Sequence, residues 1–204
     1  MAGWRRRAAR WNHNVHYHRL VLDAVPGGGR VLDVGCGEGV LTRELAAKAS
    51  RVVGLDLDRA SIDLARTTTA AANVDYVRAD LMRHPFEPES FDAVVSVAAL
   101  HHIGTEAGLM RMRELVRPGG VIAVVGLAAS ASPIDQLWDL AGAVWTRVLR
   151  LTRTWWEHAA PKVWDTPDSY REVRRSAERV LPGVRFRRLL LWRYALVWRK
   201  PDRA

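Results

Sequence analysis

Between positions 31 and 39 the chain reads VLDVGCGEG: an apolar run carrying Asp33, then Gly35, Gly37 and Gly39 on alternate positions, with Cys36 between the first two. Glycines at this spacing let a backbone turn sharply and lie against a ligand without Cβ interference, and N–H groups at a helix start favour polar or anionic groups. Two more carboxylates follow apolar runs, Asp56 in VVGLDLD and Asp80 in VRADL. Adjacent imidazoles, His101 and His102, close the segment FDAVVSVAALHHI. An imidazole titrates near neutral pH and suits the deprotonation of a phenol or hydroxyl. The segment WNHNVHYH groups His13, His16 and His18 around Tyr17, with no thiol or carboxylate among them, so no metal site is expected there.

Groups at the ends of apolar runs need a frame that brings those ends to one edge. From Arg30 onward, short β-branched runs alternate with helical patterns, which argues for parallel strands joined by helical crossovers. Strands are predicted at 31–34, 52–57, 74–78, 93–97 and 121–126. Leu41, Leu45 and Ala46 mark one helix, Ile62, Leu64 and Ala65 a second, and Leu109, Met112, Leu115 and Val116 a third. Arg117, Pro118, Gly119 and Gly120 stop that helix and turn the chain into the fifth strand. Ile134, Leu137, Trp138, Ala141, Trp145, Val148, Leu149 and Thr152 then form a helical stripe with no strand beside it, an inserted helix. Thr166 and Pro167 are the expected N-cap and first residue of a helix running to about Leu181, which Pro182 and Gly183 end. Segments 184–191 and 194–199 read as an antiparallel pair joined by Trp192 and Arg193. The expected fold is α/β: a doubly wound seven-stranded sheet, mostly parallel with an antiparallel C-terminal strand, with helices on both faces. One domain is expected over 1–204, comprising an N-terminal lid segment (1–28), a core (29–127), an inserted helical cap (128–166), and a C-terminal helix with two strands (167–204).

Glycine spacing separates two ligand classes. The dinucleotide fingerprint GxGxxG needs its third glycine at position 40, where Val40 stands. The pattern here is GxGxG with an acid two residues ahead. Together with VVGLDLD, VRADL, the run through 96–98 and RPGG before VIAVV, it resembles the class I S-adenosylmethionine-dependent methyltransferases from about residue 28 to 127. The likeness is to small-molecule enzymes, similar to ubiquinone and menaquinone biosynthesis methyltransferases, and it implies a Rossmann-like sheet. It implies that Asp33 and the backbone of Gly35, Cys36 and Gly37 hold the methionine part of the cofactor. Asp56 would accept from the ribose hydroxyls, Leu57 pack on the adenine, and Asp80 with Leu81 meet the adenine amino edge. Ser96, Val97 and Ala98 would flank the methionine moiety, with Cys36 a small filler rather than a nucleophile. The (D/N)PP(Y/F/W) motif of nucleic-acid amino methyltransferases is replaced by ALHHI, leaving His101 and His102 as the catalytic candidates. His13, His16 and Tyr17 would form a lid, and Trp138 and Trp145 an aromatic cap over an apolar acceptor.

Composition narrows the field further. With 204 residues, 49% of them apolar, and nine Trp, the chain can bury a large core and is not a disordered one. Cys36 is the single cysteine, which excludes a disulfide scaffold, a zinc ribbon and a CxxC redox motif, and makes a reducing cytoplasm the expected location. No apolar run is long enough for a membrane span, and the N-terminus lacks the apolar stretch of a signal peptide. The net charge of +9 is uneven: five Arg and no acid in 1–19, 11 basic and 16 acidic residues in 20–146, then 15 basic and six acidic in 147–204. The acidic middle coincides with the cofactor-binding motifs, so the positive charge concerns the acceptor or a surface partner. The expected activity is methyl transfer to an oxygen, nitrogen or carbon of a small-molecule acceptor. Three other readings stay open from sequence: an RNA methyltransferase gripping phosphates with the basic flanks, a non-catalytic S-adenosylmethionine-binding module, and a weak membrane-surface contact through Trp and Arg of the inserted helix.

Overall fold

Every second residue of a β-strand faces the same side of its sheet, and this sorts the apolar residues here into two cores. The computed structural model describes residues 10–156 and 168–203. In chain order it contains β1 (Arg10–Trp11), a 3₁₀ turn (Val15–Tyr17), α1 (His18–Ala24), β2 (Arg30–Val34), α2 (Val40–Ala46), β3 (Arg51–Asp56), α3 (Arg59–Thr68) and β4 (Val74–Arg78). There follow β5 (Phe91–Val97), α4 (Leu100–Ile103), α5 (Thr105–Leu115), β6 (Val116–Leu127), α6 (Pro133–Thr152), β7 (Thr154–Trp155), α7 (Tyr170–Val180), β8 (Arg185–Leu189) and β9 (Arg193–Arg199).

Seven strands form one sheet in the order β4-β3-β2-β5-β6-β9-β8, with β9 alone running against the rest. This is the expected doubly wound sheet. Val31, Val52, Ala93, Val95 and Ala123 face Val21 of α1 and Leu41 and Leu45 of α2. Their alternates Leu32, Val53, Val94, Ile122 and Val124 face Leu109, Met112 and Leu115 of α5 and Val173, Ala177 and Val180 of α7. From β2 the connections wind outward in opposite directions, to β3 and β4 on one side and to β5 and β6 on the other. A crevice therefore opens at the carboxyl ends of β2 and β5, the usual place for a ligand in an open α/β sheet.

Three boundaries depart from the sequence reading. Arg117, Pro118, Gly119 and Gly120 lie inside β6 rather than before it: Phe91 pairs with Val116, the register shifts, and pairing resumes at Ala93 with Val121. The C-terminal helix opens at Ser169, whose hydroxyl accepts from Glu172 N while the Glu172 carboxylate accepts from Ser169 N; Thr166 and Pro167 lie outside the described residues. The β8–β9 hairpin turns on Leu191 and Trp192, at φ of 60° and 58°, so Arg193 already belongs to the strand. Two positive φ angles match the twist of a primed hairpin turn, and Leu191 is held there by burial against Trp11 and Leu149.

The predicted lid and cap are physically joined. β1 and β7 pair in parallel, Arg10 with Thr154 and Trp11 with Trp155. α6 is capped by Ser132 and Asp135 in a capping box with Pro133 at its start. It turns Asp135, Gly142 and Leu149 inward, where Asp135 pairs with Arg188, and leaves Ile134, Leu137, Leu140, Val144 and Leu151 exposed. No helix among the described residues is long and apolar enough to cross a membrane.

Candidate active site

The glycine turn after β2 is held by its own amides. Gly35 N and Cys36 N both donate to Leu55 O, at 2.8 and 3.0 Å, and Gly39 N donates to Cys36 O. Gly37 N donates to the Asp56 carboxylate at 2.8 Å. These four amides are committed to the fold, so within the turn it is the carbonyls of Gly35 and Gly37, and beyond it the first amides of α2, that stay open to a ligand. Gly35 sits at φ 71°, and a Cβ there would overlap the Cβ of Ala99, so the backbone of the turn packs directly against the Ala99 methyl in the loop after β5. Ala98, at φ 57°, is itself in the left-handed region, which is costly for a residue with a Cβ.

Around this turn lies a cavity of about 500 Å³, within the roughly 300–1,000 Å³ of small-molecule sites. Its floor carries Asp33, buried on β2, where Thr42 Oγ1 donates to it at 2.7 Å. Burial pushes the Asp33 pKa up to about 6, against the opposing pull of the Thr42 hydrogen bond and the nearby His18. Asp56 closes β3 and also accepts from Asp58 N; Asp80, beyond β4, accepts from Met82 N. A carboxylate has about four lone-pair sites, so both retain capacity for a ligand's donors. Burial drives the Cys36 thiol pKa far above its ordinary range, as suits a filler and not a nucleophile.

The other end of the cavity is built by α4, the N-terminal segment and the chain after α6. His101 and His102 lie on α4 with ring centroids 3.9 Å apart, and both line the cavity. His13 lines it too, edge-on to Trp155 at 5.1 Å, with Nε2 3.2 Å from Thr146 Oγ1. Burial, then the charges of Arg193 and Arg150, lower the His13 pKa to about 4, so its ring is neutral at neutral pH.

The methyltransferase domain family matches residues 31–120. An uncharacterized methyltransferase of Mycobacterium tuberculosis is 40% identical over 193 residues, covering 94% of this chain and 98% of that protein. The chain belongs to the class I S-adenosylmethionine-dependent methyltransferases. A phthiotriol/phenolphthiotriol dimycocerosates methyltransferase of Mycobacterium ulcerans is 36% identical over 137 residues, 65% of this chain and half of that one. The crystal structure of an S-adenosylmethionine-dependent methyltransferase from Aquifex aeolicus shares the fold, with a TM-score of 0.62 at 15% identity over 89% of this chain and 88% of that one.

S-Adenosylmethionine is therefore the cofactor, and the acid end of the methyltransferase's cavity has the chemistry it needs: carboxylate acceptors in Asp56 and Asp80 for hydroxyl and amino donors, and buried Asp33 for a cation. Of the residues singled out in the sequence, Asp33, Gly35, Cys36, Gly37, Asp56, Leu57, Asp80, Leu81, Val97, Ala98, His101, His102 and His13 are brought together on the cavity wall. Five are not. Ser96 is fully buried and donates to Val34 O, joining β5 to β2. His16 accepts from the Trp11 indole, and the Tyr17 hydroxyl donates to Leu190 O, so both pack the lid segment instead of facing the cavity. Trp138 and Trp145 flank the inward stripe of α6 and stay about two-fifths exposed. Trp155 and Trp156 take the wall position, because the chain doubles back after α6 to pair with β1. Asn12, Asn14 and Arg193 also line the cavity and were not singled out, and His18, noted only as one of the N-terminal histidines, lines it as well. The signal for Arg193 was a charge heading a strand whose next five residues, Tyr194 to Trp198, are all apolar. A second depression of about 550 Å³, beside Arg30, Arg51 and Arg66, holds none of the singled-out residues.

Proposed function

We propose that this methyltransferase acts on a small-molecule acceptor held in the half of the cavity beyond the cofactor's acids. The observation that carries the reading is the continuity of one cavity from Asp56 and Asp80, past Gly35 and Ala98, to His101, His102, His13 and Arg193. Walls from residues 12–14 and from Trp155 and Trp156 suit a compact acceptor better than a polymer strand. By name, the Mycobacterium ulcerans relative acts on phthiotriol and phenolphthiotriol dimycocerosates, which also favours an acceptor other than nucleic acid.

When bound, S-adenosylmethionine supplies a methyl group made electrophilic by its sulfonium sulfur. Asp56 and Asp80 would accept from the ribose and adenine donors, Leu57 and Leu81 would pack on the adenine, and Asp33 would balance the cofactor's positive charge. The close contact between Gly35 and Ala99 fixes the distance between the cofactor turn and the loop after β5. Alignment of the acceptor atom supplies most of the acceleration. His101 or His102 removes a proton where the acceptor needs one, which is worth roughly 10²–10⁴ in rate.

Release of S-adenosylhomocysteine is to be followed with a panel of small acceptors and with RNA, at low and high salt. Small-molecule turnover insensitive to salt is expected. Turnover that requires RNA and collapses as salt rises would reverse the assignment, since phosphate contacts carry a steep salt dependence. His101→Ala and His102→Ala should lower turnover more than cofactor affinity; unchanged turnover in both removes the base from the mechanism.

A further inference from the structure

Among the described residues, Arg193 is the one basic side chain on the cavity wall besides the histidines, and it is 6% exposed. Its partners are all neutral. Nε and Nη2 donate to Asn14 Oδ1 at 3.2 and 2.7 Å, and Nη1 donates to Leu191 O at 3.2 Å and to Trp192 O at 3.4 Å. A guanidinium has five N–H donors, so one N–H of Nη2 is left over. No described carboxylate lies within ion-pair distance of it; the carboxylates of the cavity gather at the opposite end, at Asp33, Asp56, Asp58 and Asp80. Buried charges in folded proteins are ordinarily paired. This one is held by three neutral acceptors and, among the described residues, has no compensating carboxylate where it lines the ligand cavity.

Position in the sheet separates it from the cofactor's acids. Arg193 opens β9, paired with Leu127 at the carboxyl end of β6, and β9 lies three strands from β2. At strand spacings of about 4.8 Å that is roughly 14 Å from the strand bearing Asp33. The cavity is thus polarised, acidic where a cation binds and basic at the far end.

Resting on the reading of that end as the acceptor half, we infer that Arg193 is a specificity-determining residue that recognises a carboxylate or phosphate group on the acceptor. A guanidinium pre-set by Asn14 and the hairpin carbonyls meets such an anion without losing side-chain freedom. The acceptor is then a molecule with an anionic oxygen group at one end, and the apolar walls of Ile103, Leu127, Trp155 and Trp156 cover the rest of it.

Calorimetry on the full chain saturated with S-adenosylhomocysteine, titrated with octanoate, octyl phosphate and 1-octanol, tests this. In the natural protein, at least one of the two anions should bind tighter than octanol by about tenfold or more, the value of a hydrogen bond to a charged group. The better of the two names the anion as carboxylate or phosphate. Arg193→Gln should abolish the preference and Arg193→Lys should retain part of it, with S-adenosylhomocysteine affinity unchanged in both. If Arg193→Gln does not fold, Arg193→Lys carries the comparison. Octanol binding as tightly as the anions overturns the inference but leaves the acceptor half standing; no binding by any probe overturns both. A preference that survives in Arg193→Gln also overturns it. So does loss of S-adenosylhomocysteine affinity in the variants when 5′-deoxy-5′-methylthioadenosine, which lacks the amino-acid carboxylate, binds them normally, because the anion is then the cofactor's own.

Discussion

Replacing Asp33 by asparagine separates what this carboxyl costs the fold from what it gives the cofactor. In the folded chain Asp33 is 1% exposed, with Thr42 as its single hydrogen-bond donor, and burial raises its pKa from 3.8 to about 6. A shift of about two units corresponds to about 3 kcal/mol. Between these two values the folded state holds a proton that the unfolded state has released, so stability falls as pH rises through the window. That stability is fully present below about pH 4 and lost above about pH 6. The Asp33→Asn variant would carry no such dependence, while the neighbouring His18–Glu44 pair is present in both proteins. Denaturant titrations at a series of pH values should therefore show the natural protein losing about 3 kcal/mol relative to Asp33→Asn between about pH 4 and pH 7. Cofactor affinity should move the other way. A bound cation favours ionised Asp33, so S-adenosylmethionine should bind the natural protein more weakly as pH drops below about 6, approaching tenfold per pH unit. The Asp33→Asn affinity should be lower at neutral pH and flat. Parallel stability profiles for the two proteins, or a flat affinity profile for the natural one, would refute the reasoning.

Two other substitutions probe the same end of the cavity. Asp56→Ala removes the acceptor for Gly37 N and Asp58 N as well as the proposed ribose contacts; with hydrogen bonds to charged groups worth about 1.5–3 kcal/mol, cofactor affinity measured by calorimetry should fall by about 10²-fold. Unchanged binding would mean that the ribose lies elsewhere. Gly35→Ala combines a φ of 71° with overlap on Ala99, whereas Gly28→Ala has a similar φ of 78° and open space around the new Cβ. The Gly28 variant should lose about 1–2 kcal/mol, the left-handed penalty alone. The Gly35 variant should lose more in denaturant titration, and its cofactor binding with it; equal losses would show that the loop after β5 does not press on the turn.

Much of this was legible in the sequence, for a physical reason. The central strands β2 and β3 are buried on both faces and must be apolar, so the acids Asp33 and Asp56 near their carboxyl ends stand out. Asp80 instead follows the half-exposed edge strand β4 and was marked by the motif around it. The turn glycines were visible, but not that Leu55 O and Asp56 would consume their amides, because that depends on the register of β2 against β3. Trp138 and Trp145 fitted a cap on helical spacing alone. Their direction was decided by Asp135 and its pairing with Arg188, 53 positions away, which sets the face that α6 turns inward. Arg193 was hidden by an offset of one residue in the hairpin. Leu191 and Trp192 are poor residues for positive φ and gave no turn signal; their place in the turn follows from packing against Trp11 and Leu149.

The bond between Asn14 and Arg193 joins positions 179 apart, and it imposes an order of assembly. Everything on the acidic side of the cavity, from Asp33 to Ala98, is encoded before Leu127, on strands β2 to β5 that pair among themselves. The basic end does not exist until β9 arrives to cover the open edge of β6 and carry Arg193 back against Asn14. Long-range closures of this kind come late in folding, after the local strands and helices. The two halves of the cavity therefore differ in age as well as in charge. An emerging chain can complete the cofactor's side while still lacking the means to recognise an acceptor.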